Sequence, residues 1–120
     1  MGAYQLSFQE ERNLLVIHLE GAFTLEEVHA YRQNLIEFVN GLKIRQVLID
    51  QANAEFPPNA MDIFAKNAEI PELRETATAV VYAPFLYDIM KKMPPELSAG
   101  SPEPFTDFDD ADAWLKTVSM

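Results

Sequence analysis

Cysteine is absent from this chain, which removes disulfides, thiolate nucleophiles and cysteine-held metals together. Basic residues are scarce: 9 Lys and Arg stand against 19 Asp and Glu, for a formal net charge of -10. Binding to phosphate backbones or anionic lipid relies on basic side chains that displace counterions, so nucleic acid and membrane surfaces are poor partners. Glycine is rare too, at 4 residues, and the chain has no phosphate-binding glycine loop, dinucleotide fingerprint or Gly-x-Ser-x-Gly elbow. No apolar run nears the roughly 18 residues of a membrane span, and the opening MGAYQLSFQEERN lacks the charged and apolar regions of a signal peptide. A soluble, cytoplasmic protein is the expectation, its acidity read first as solubility.

What is present suits one domain. At 120 residues, with 48% hydrophobic and 11% aromatic side chains, the chain can bury a core without staples and is too short for two domains, so residues 1–120 read as one. Tyr4, Leu6 and Phe8 alternate with Gln5, Ser7 and Gln9, the period of a strand with one wet face. After a polar turn at 10–13, Leu14 to Glu20 forms a second strand, with Leu15, Ile17 and Leu19 on one face and Val16 and His18 on the other, so the two make an antiparallel hairpin. Thr24 and Glu27 then spell a capping box, and Gly41 stands where a helix end favours a left-handed residue. Between them Leu25, Val28, Tyr31, Leu35, Phe38, Val39 and Leu42 recur at helical spacing.

Gln46 to Asp50 reads as an interior strand followed by a loop. Pro58 opens a helix with Met61, Phe64, Ala65 and Ala68 inward, and Ala77 to Tyr82 is another buried strand. Pro84 opens a third helix, Phe85 to Met93, stopped by Pro94-Pro95. The stretch 94–104, with four prolines and two serines, is the expected mobile loop. Phe105 and Thr106 make a short last strand. Asp107 caps a final helix that turns Phe108, Ala111, Leu115 and Val118 inward with Trp114 beside them. The order β-β-α-β-α-β-α-β-α implies an α/β fold, a mostly parallel sheet with an antiparallel edge and covering helices.

This order, with the strand VLID at 47–50 and the ending FTDFDDADAWL, resembles the SpoIIAA-like family, the fold of STAS domains, which is structurally akin to CRAL-TRIO lipid-binding domains. The ending is similar to that of uncharacterised SpoIIAA-like proteins of bacteria. The resemblance implies a regulatory or interaction role. It also implies that the loop after VLID corresponds to the site of an Asp-x-Ser motif, whose serine a partner kinase phosphorylates. Asp50 matches the acid, Ala52 stands in place of the serine, and Asn53 follows. From Arg32 to Glu75 there is no Ser, Thr or Tyr, so no shift of alignment restores a phosphoacceptor.

Other chemistries are weak. Asp50 as an aspartyl-phosphate site would need a magnesium held by further carboxylates, and the early strands offer only Glu20; a turn-holding acid is the plainer reading. The run Asp107, Asp109, Asp110 and Asp112 lacks the glycine and glutamate of an EF-hand and suits a helix start. His18 and His29 have no metal-ligand spacing. The expectation is no enzyme, no metal and no cofactor. Two surfaces remain as candidates. Phe85, Leu86, Ile89, Met90 and Met93 crowd a short helix with apolar groups; the plain reading packs them in the core, and any that are exposed would mark a surface for a protein partner or a second copy. Phe56, Phe64, Phe85 and Met90 could instead line a pocket for a small apolar, lipid-like ligand. Incubation of the protein with cell extract and ATP, followed by peptide mass spectrometry, is expected to find no phosphate on residues 32–75; a phosphorylated residue there would overturn the reading of Ala52.

Overall fold

A computed structural model describes residues 2–65, 70–73, 76–91 and 103–118. The alternating opening becomes β1 (Ala3–Gln9), and β2 (Leu14–Ala22) returns antiparallel to it in an unbroken register from Ala3 opposite Glu20 to Gln9 opposite Leu14. The turn between them closes with the Arg12 N–H on the Gln9 carbonyl at 3.2 Å and the Asn13 N–H on the Glu10 carbonyl at 3.3 Å. Asn13 takes a φ of 51°, a region its residue type tolerates. Its carbonyl accepts the N–H groups of Arg45 at 2.9 Å and Gln46 at 3.2 Å. The hairpin turn is thereby fastened to the start of the next strand.

Helix α1 (Leu25–Val39) begins with the capping box read from the sequence: the Thr24 hydroxyl accepts the Glu27 N–H at 3.1 Å and the Glu27 carboxylate accepts the Thr24 N–H at 3.0 Å. The bond from the Thr24 backbone is the largest influence on Glu27 and holds its carboxyl below the ordinary range, with the Gly2 N–H adding at 3.2 Å. Gly41, at a φ of 82°, ends the helix while the Leu42 N–H reaches back to the Val39 carbonyl at 2.9 Å. Then come β3 (Gln46–Glu55), α2 (Ala60–Ala65), a single 3₁₀ turn at Pro71–Leu73, β4 (Ala77–Val81), α3 (Pro84–Lys91), β5 (Glu103–Phe105) and α4 (Phe108–Val118). The five strands stand in sequence order, the first pair antiparallel and the rest parallel. This is the expected α/β architecture.

Alternation along the strands divides the core into two layers. Leu15, Ile17 and Leu19 of β2 join Val47 of β3 and pack with Val28, Tyr31, Leu35 and Val39 of α1 and Ala60 and Ile63 of α2. On the opposite face Leu14, Val16, Leu48, Ala79 and Val81 meet Ala111 and Leu115 of α4. Burying such a Leu, Ile or Val stabilises by about 1.5–3 kcal/mol, so the double-sided burial of β2 outweighs the fold's surface pairs. Gln46, 2% exposed, is the polar exception among the described core: its Nε2 donates to the Leu115 carbonyl at 2.6 Å and ties α4 to the start of β3.

Several boundaries differ from the sequence reading. β5 starts at Glu103, inside the stretch expected to be loop, because parallel pairing with Ala79–Val81 of β4 recruits Glu103 and Pro104; residues 94–102 lie outside the described residues. Val118 is 43% exposed, not inward, since α4 has passed the edge of the apolar cluster that holds Leu115. Asp112 does more than complete an acidic helix start. It accepts from Arg12 Nη1 at 2.7 Å and lies 3.4 Å from Lys116 Nζ, which joins α4 to the hairpin turn. Desolvation pushes the Asp112 carboxyl up, but the Arg12 hydrogen bond and charge, with Lys116, bring it below its ordinary value.

A carboxyl held low when folded adds stability above its unfolded value of about 3.9, and that stability is lost as pH falls through the lower folded value. Denaturant titrations of the wild type and Asp112→Asn are therefore expected to differ by about 1 kcal/mol at neutral pH, with the gap closing in strong acid.

Candidate functional site

The stretch from Asp50 to Asn53, expected as a loop, is strand. β3 continues to Glu55 because β2 itself runs on to Ala22, and Glu20, Gly21 and Ala22 pair with Asn53, Ala54 and Glu55. Small and polar residues of modest strand propensity are held there by the partner strand rather than by their own preference. The Phe23 N–H closes the ladder on the Glu55 carbonyl at 2.8 Å. Pairing with β4 stops at Asp50 opposite Val81, so among the described residues this strand keeps one neighbour beyond Asp50.

The ladder shifts where the second neighbour is lost. His18 stands opposite Asp50 and Glu20 opposite Asn53, so β3 carries one more residue than β2 between those pairs, a bulge at Gln51 and Ala52. Asp50 Oδ1 accepts the Ala52 N–H at 3.3 Å, bridging the irregularity. The other oxygen, Oδ2, lies 3.3 Å from His18 Nδ1. The His18 ring stacks on Phe108, the first residue of α4, with centroids 5.6 Å apart and planes 13° from parallel. Ala52 packs against the α4-side apolar cluster. Asp50 thus accepts from Ala52 across a bulge inside a strand, where a turn was expected, and Asn53 returns to the ladder opposite Glu20.

Beside this bulge lies an open groove of about 520 Å³, lined by Ala3, Tyr4 and Gln5 of β1, His18, Leu19 and Glu20 of β2, and Asp50 and Asn53 of β3. The α4 layer covers the later strands and leaves this corner of the sheet wet. Its residues offer hydrogen-bond donors and acceptors, but no Ser, Cys or Lys among them can act as a nucleophile activated by the His18–Asp50 pair. Among the described residues no three His, Cys, Asp or Glu gather as metal ligands, and no helix is long and apolar enough to cross a membrane. The His18–Asp50 contact was missed in the sequence reading, although alternation in both strands places the two residues on one face.

The apolar candidates separate. Phe56 is half-buried and lies 5.2 Å from the Phe23 ring, against the α1 and α2 layer. Phe85 and Ile89 of α3 point outward, 73% and 59% exposed, while Leu86 is half-buried. Phe64 lies on α2 and Met90 on α3; their side chains, and Met93 entirely, fall outside the described residues.

No protein-family model matches the sequence, and no curated protein matches it. Solved structures do. An uncharacterised DUF3478-family protein with a SpoIIAA-like fold from Shewanella loihica PV-4 superposes with a TM-score of 0.69 at 18% identity, over 96% of this chain and 95% of that one. The anti-sigma factor antagonist SpoIIAA in its unphosphorylated form gives 0.67 at 13% identity, covering 98% and 100%. An anti-sigma factor antagonist from Mycobacterium paratuberculosis gives 0.66 at 18%, covering 97% and 95%. The chain therefore has the SpoIIAA-like fold.

If Asp50 serves to hold the bulge, Asp50→Ala is expected to lower stability by about 1 kcal/mol, leaving the Ala52 N–H without its acceptor. Asp50→Asn, which keeps an oxygen there, should lose less. Hydrogen exchange at Ala52 would report the change directly, and an unaltered exchange rate in Asp50→Ala would contradict the assignment.

Proposed function

We propose that this chain is a non-enzymatic regulatory module that binds a protein partner through the outward face of α3. The observation that carries the reading is the exposure of Phe85 and Ile89, 73% and 59%, on a helix of 8 residues. Four positions apart, they share one face of the helix. Two large apolar side chains adjacent on an exposed helix face match the way an amphipathic helix enters an apolar groove, and aromatic residues are frequent anchors at interface centres.

Charge narrows the partner. Asp88 is exposed on the same helix and the whole chain carries a formal charge of -10. The complementary surface is an apolar pocket rimmed by Lys and Arg, with the charges steering encounter and the Phe85 and Ile89 side chains supplying the contact. Two proteins of this fold are anti-sigma factor antagonists, and regulation by binding is the role carried over from them. The serine switch is not carried over. Ala52, which stands where the resemblance implies the serine, packs against the α4 layer and has no hydroxyl to carry a phosphate.

Replacing Phe85 with the photoreactive p-benzoylphenylalanine in cells tests the surface directly. One polypeptide is expected to cross-link, the adduct is expected to vanish when Ile89→Asp is added, and calorimetry on the purified pair is expected to show a negative heat-capacity change. Cross-links only within the same chain, or only to a small apolar molecule, would sink the reading, the latter in favour of a ligand carrier.

A further inference from the structure

The two edges of the sheet are protected very differently. Among the described residues β5 forms one edge, and its 3 residues include a charged Glu103 and a Pro104 that has no N–H to offer. Short length, charge and proline are the usual devices that keep an edge from pairing with another chain. β1 forms the other edge and has none of them. Its 7 residues, AYQLSFQ, include no charge and no proline, and its register against β2 runs without a bulge. In a chain with 19 acidic residues, an uncharged edge of that length stands apart from the rest of the surface.

The flank of α1 beside this edge carries both polar and apolar side chains. Gly2 donates to Glu27, Tyr4 of β1 meets the Tyr31 ring at 5.3 Å, and Asn34 bonds the Tyr4 hydroxyl. These contacts place Glu27, Tyr31 and Asn34 on the β1 side of the helix. Phe38, one turn beyond Asn34 on the same side, is 39% exposed.

We infer that β1 is a homodimerisation edge, on which a second copy of the chain adds its own β1 antiparallel and joins two five-stranded sheets into one. The occupant follows from the pattern of the strand. In the fully overlapped antiparallel register, Leu6 of one copy faces Leu6 of the other, Tyr4 faces Phe8, Gln5 faces Ser7 and Ala3 faces Gln9. Tyr4, Leu6 and Phe8 lie on the half-buried face and Ala3, Gln5, Ser7 and Gln9 on the exposed one. Every cross-strand pair on the inner face is thus apolar on apolar. Each pair on the outer face is free of charge. Pairs of this kind, with Cβ atoms roughly 4.5–5.5 Å apart, are the unit by which strands select partners. A foreign strand would need this pattern by coincidence; a second copy has it by construction.

The same geometry sets the salt response. Two chains of charge -10 repel at long range while the contact itself holds no ion pair, so added salt screens the repulsion and tightens the dimer. This surface is separate from α3, and variants on one leave binding at the other unchanged.

Sedimentation velocity over a concentration series tests the inference with a pair of complementary variants. Gln5→Lys with Ser7→Lys sets lysine opposite lysine in the proposed register, and Gln5→Glu with Ser7→Glu sets glutamate opposite glutamate. Both positions are exposed on the described chain, and circular dichroism checks that each variant is folded. Each variant alone is expected to weaken dimerisation at least about tenfold, and an equimolar mixture is expected to recover a mixed dimer, because lysine then faces glutamate. A wild-type chain that stays monomeric to millimolar concentration overturns the inference, as does a dimer that survives the lysine pair unchanged or a mixture that fails to recover. A strand from another protein found on β1 of an otherwise monomeric chain overturns it as well.

Discussion

Strand β2 is the element on which the other parts depend, because it is buried on both faces. Leu15, Ile17 and Leu19 feed the α1 and α2 layer, Leu14 and Val16 feed the α4 layer, and all five are at most 5% exposed. A strand in that position has no freedom of register: a slip by one residue would exchange the two sets and put His18 and Glu20 into the core. Fixing β2 fixes β3 beside it, with Leu14 opposite Gln46 and His18 opposite Asp50. The fastening of the Asn13 carbonyl to Arg45 and Gln46 holds the same register from the other end.

That register explains why the candidate site is where it is. Among the described residues β3 has two neighbours up to Asp50 and one beyond it, so the sheet loses a ladder at the point where the acid stands. An irregularity there is cheap, and the extra residue is taken up in a bulge whose Ala52 N–H Asp50 accepts. Only because β2 runs parallel beside it does His18 come within 3.3 Å of the same carboxylate. Only because α4 crosses back over the sheet does Phe108 stack on that histidine. The result is a polar corner made from three elements distant in sequence.

Much of the fold was legible beforehand. Period-two alternation marked β1 and β2, the Thr24–Glu27 box and Gly41 marked both ends of α1, and prolines marked the start of α3. These signals are local, and local backbone chemistry enforces them. The length of β3 was not legible, since QANAE has neither the alternation nor the branched side chains of a strand and is recruited by its partner. β5 was misplaced for a similar reason: Pro104 reads as loop, and an edge strand is among the few places that accept it. On α3 the composition showed too many apolar residues for one face, but the direction in which Phe85 and Ile89 point depends on how the helix lies on the rest of the molecule.

By itself, then, the sequence determined the order of elements, the division of apolar residues between strand faces, the acidity of the surface and the lack of a hydroxyl between Arg32 and Glu75. Each of these is carried by residue type or by spacing within one segment. The tertiary structure alone decided the extension and bulge of β3, the meeting of His18 with Asp50 and Phe108, the outward aim of Phe85 and Ile89, and the bare edge at β1. Those depend on which segments become neighbours, and neighbours are chosen by burial and hydrogen-bond satisfaction summed over the whole chain rather than by any stretch of it.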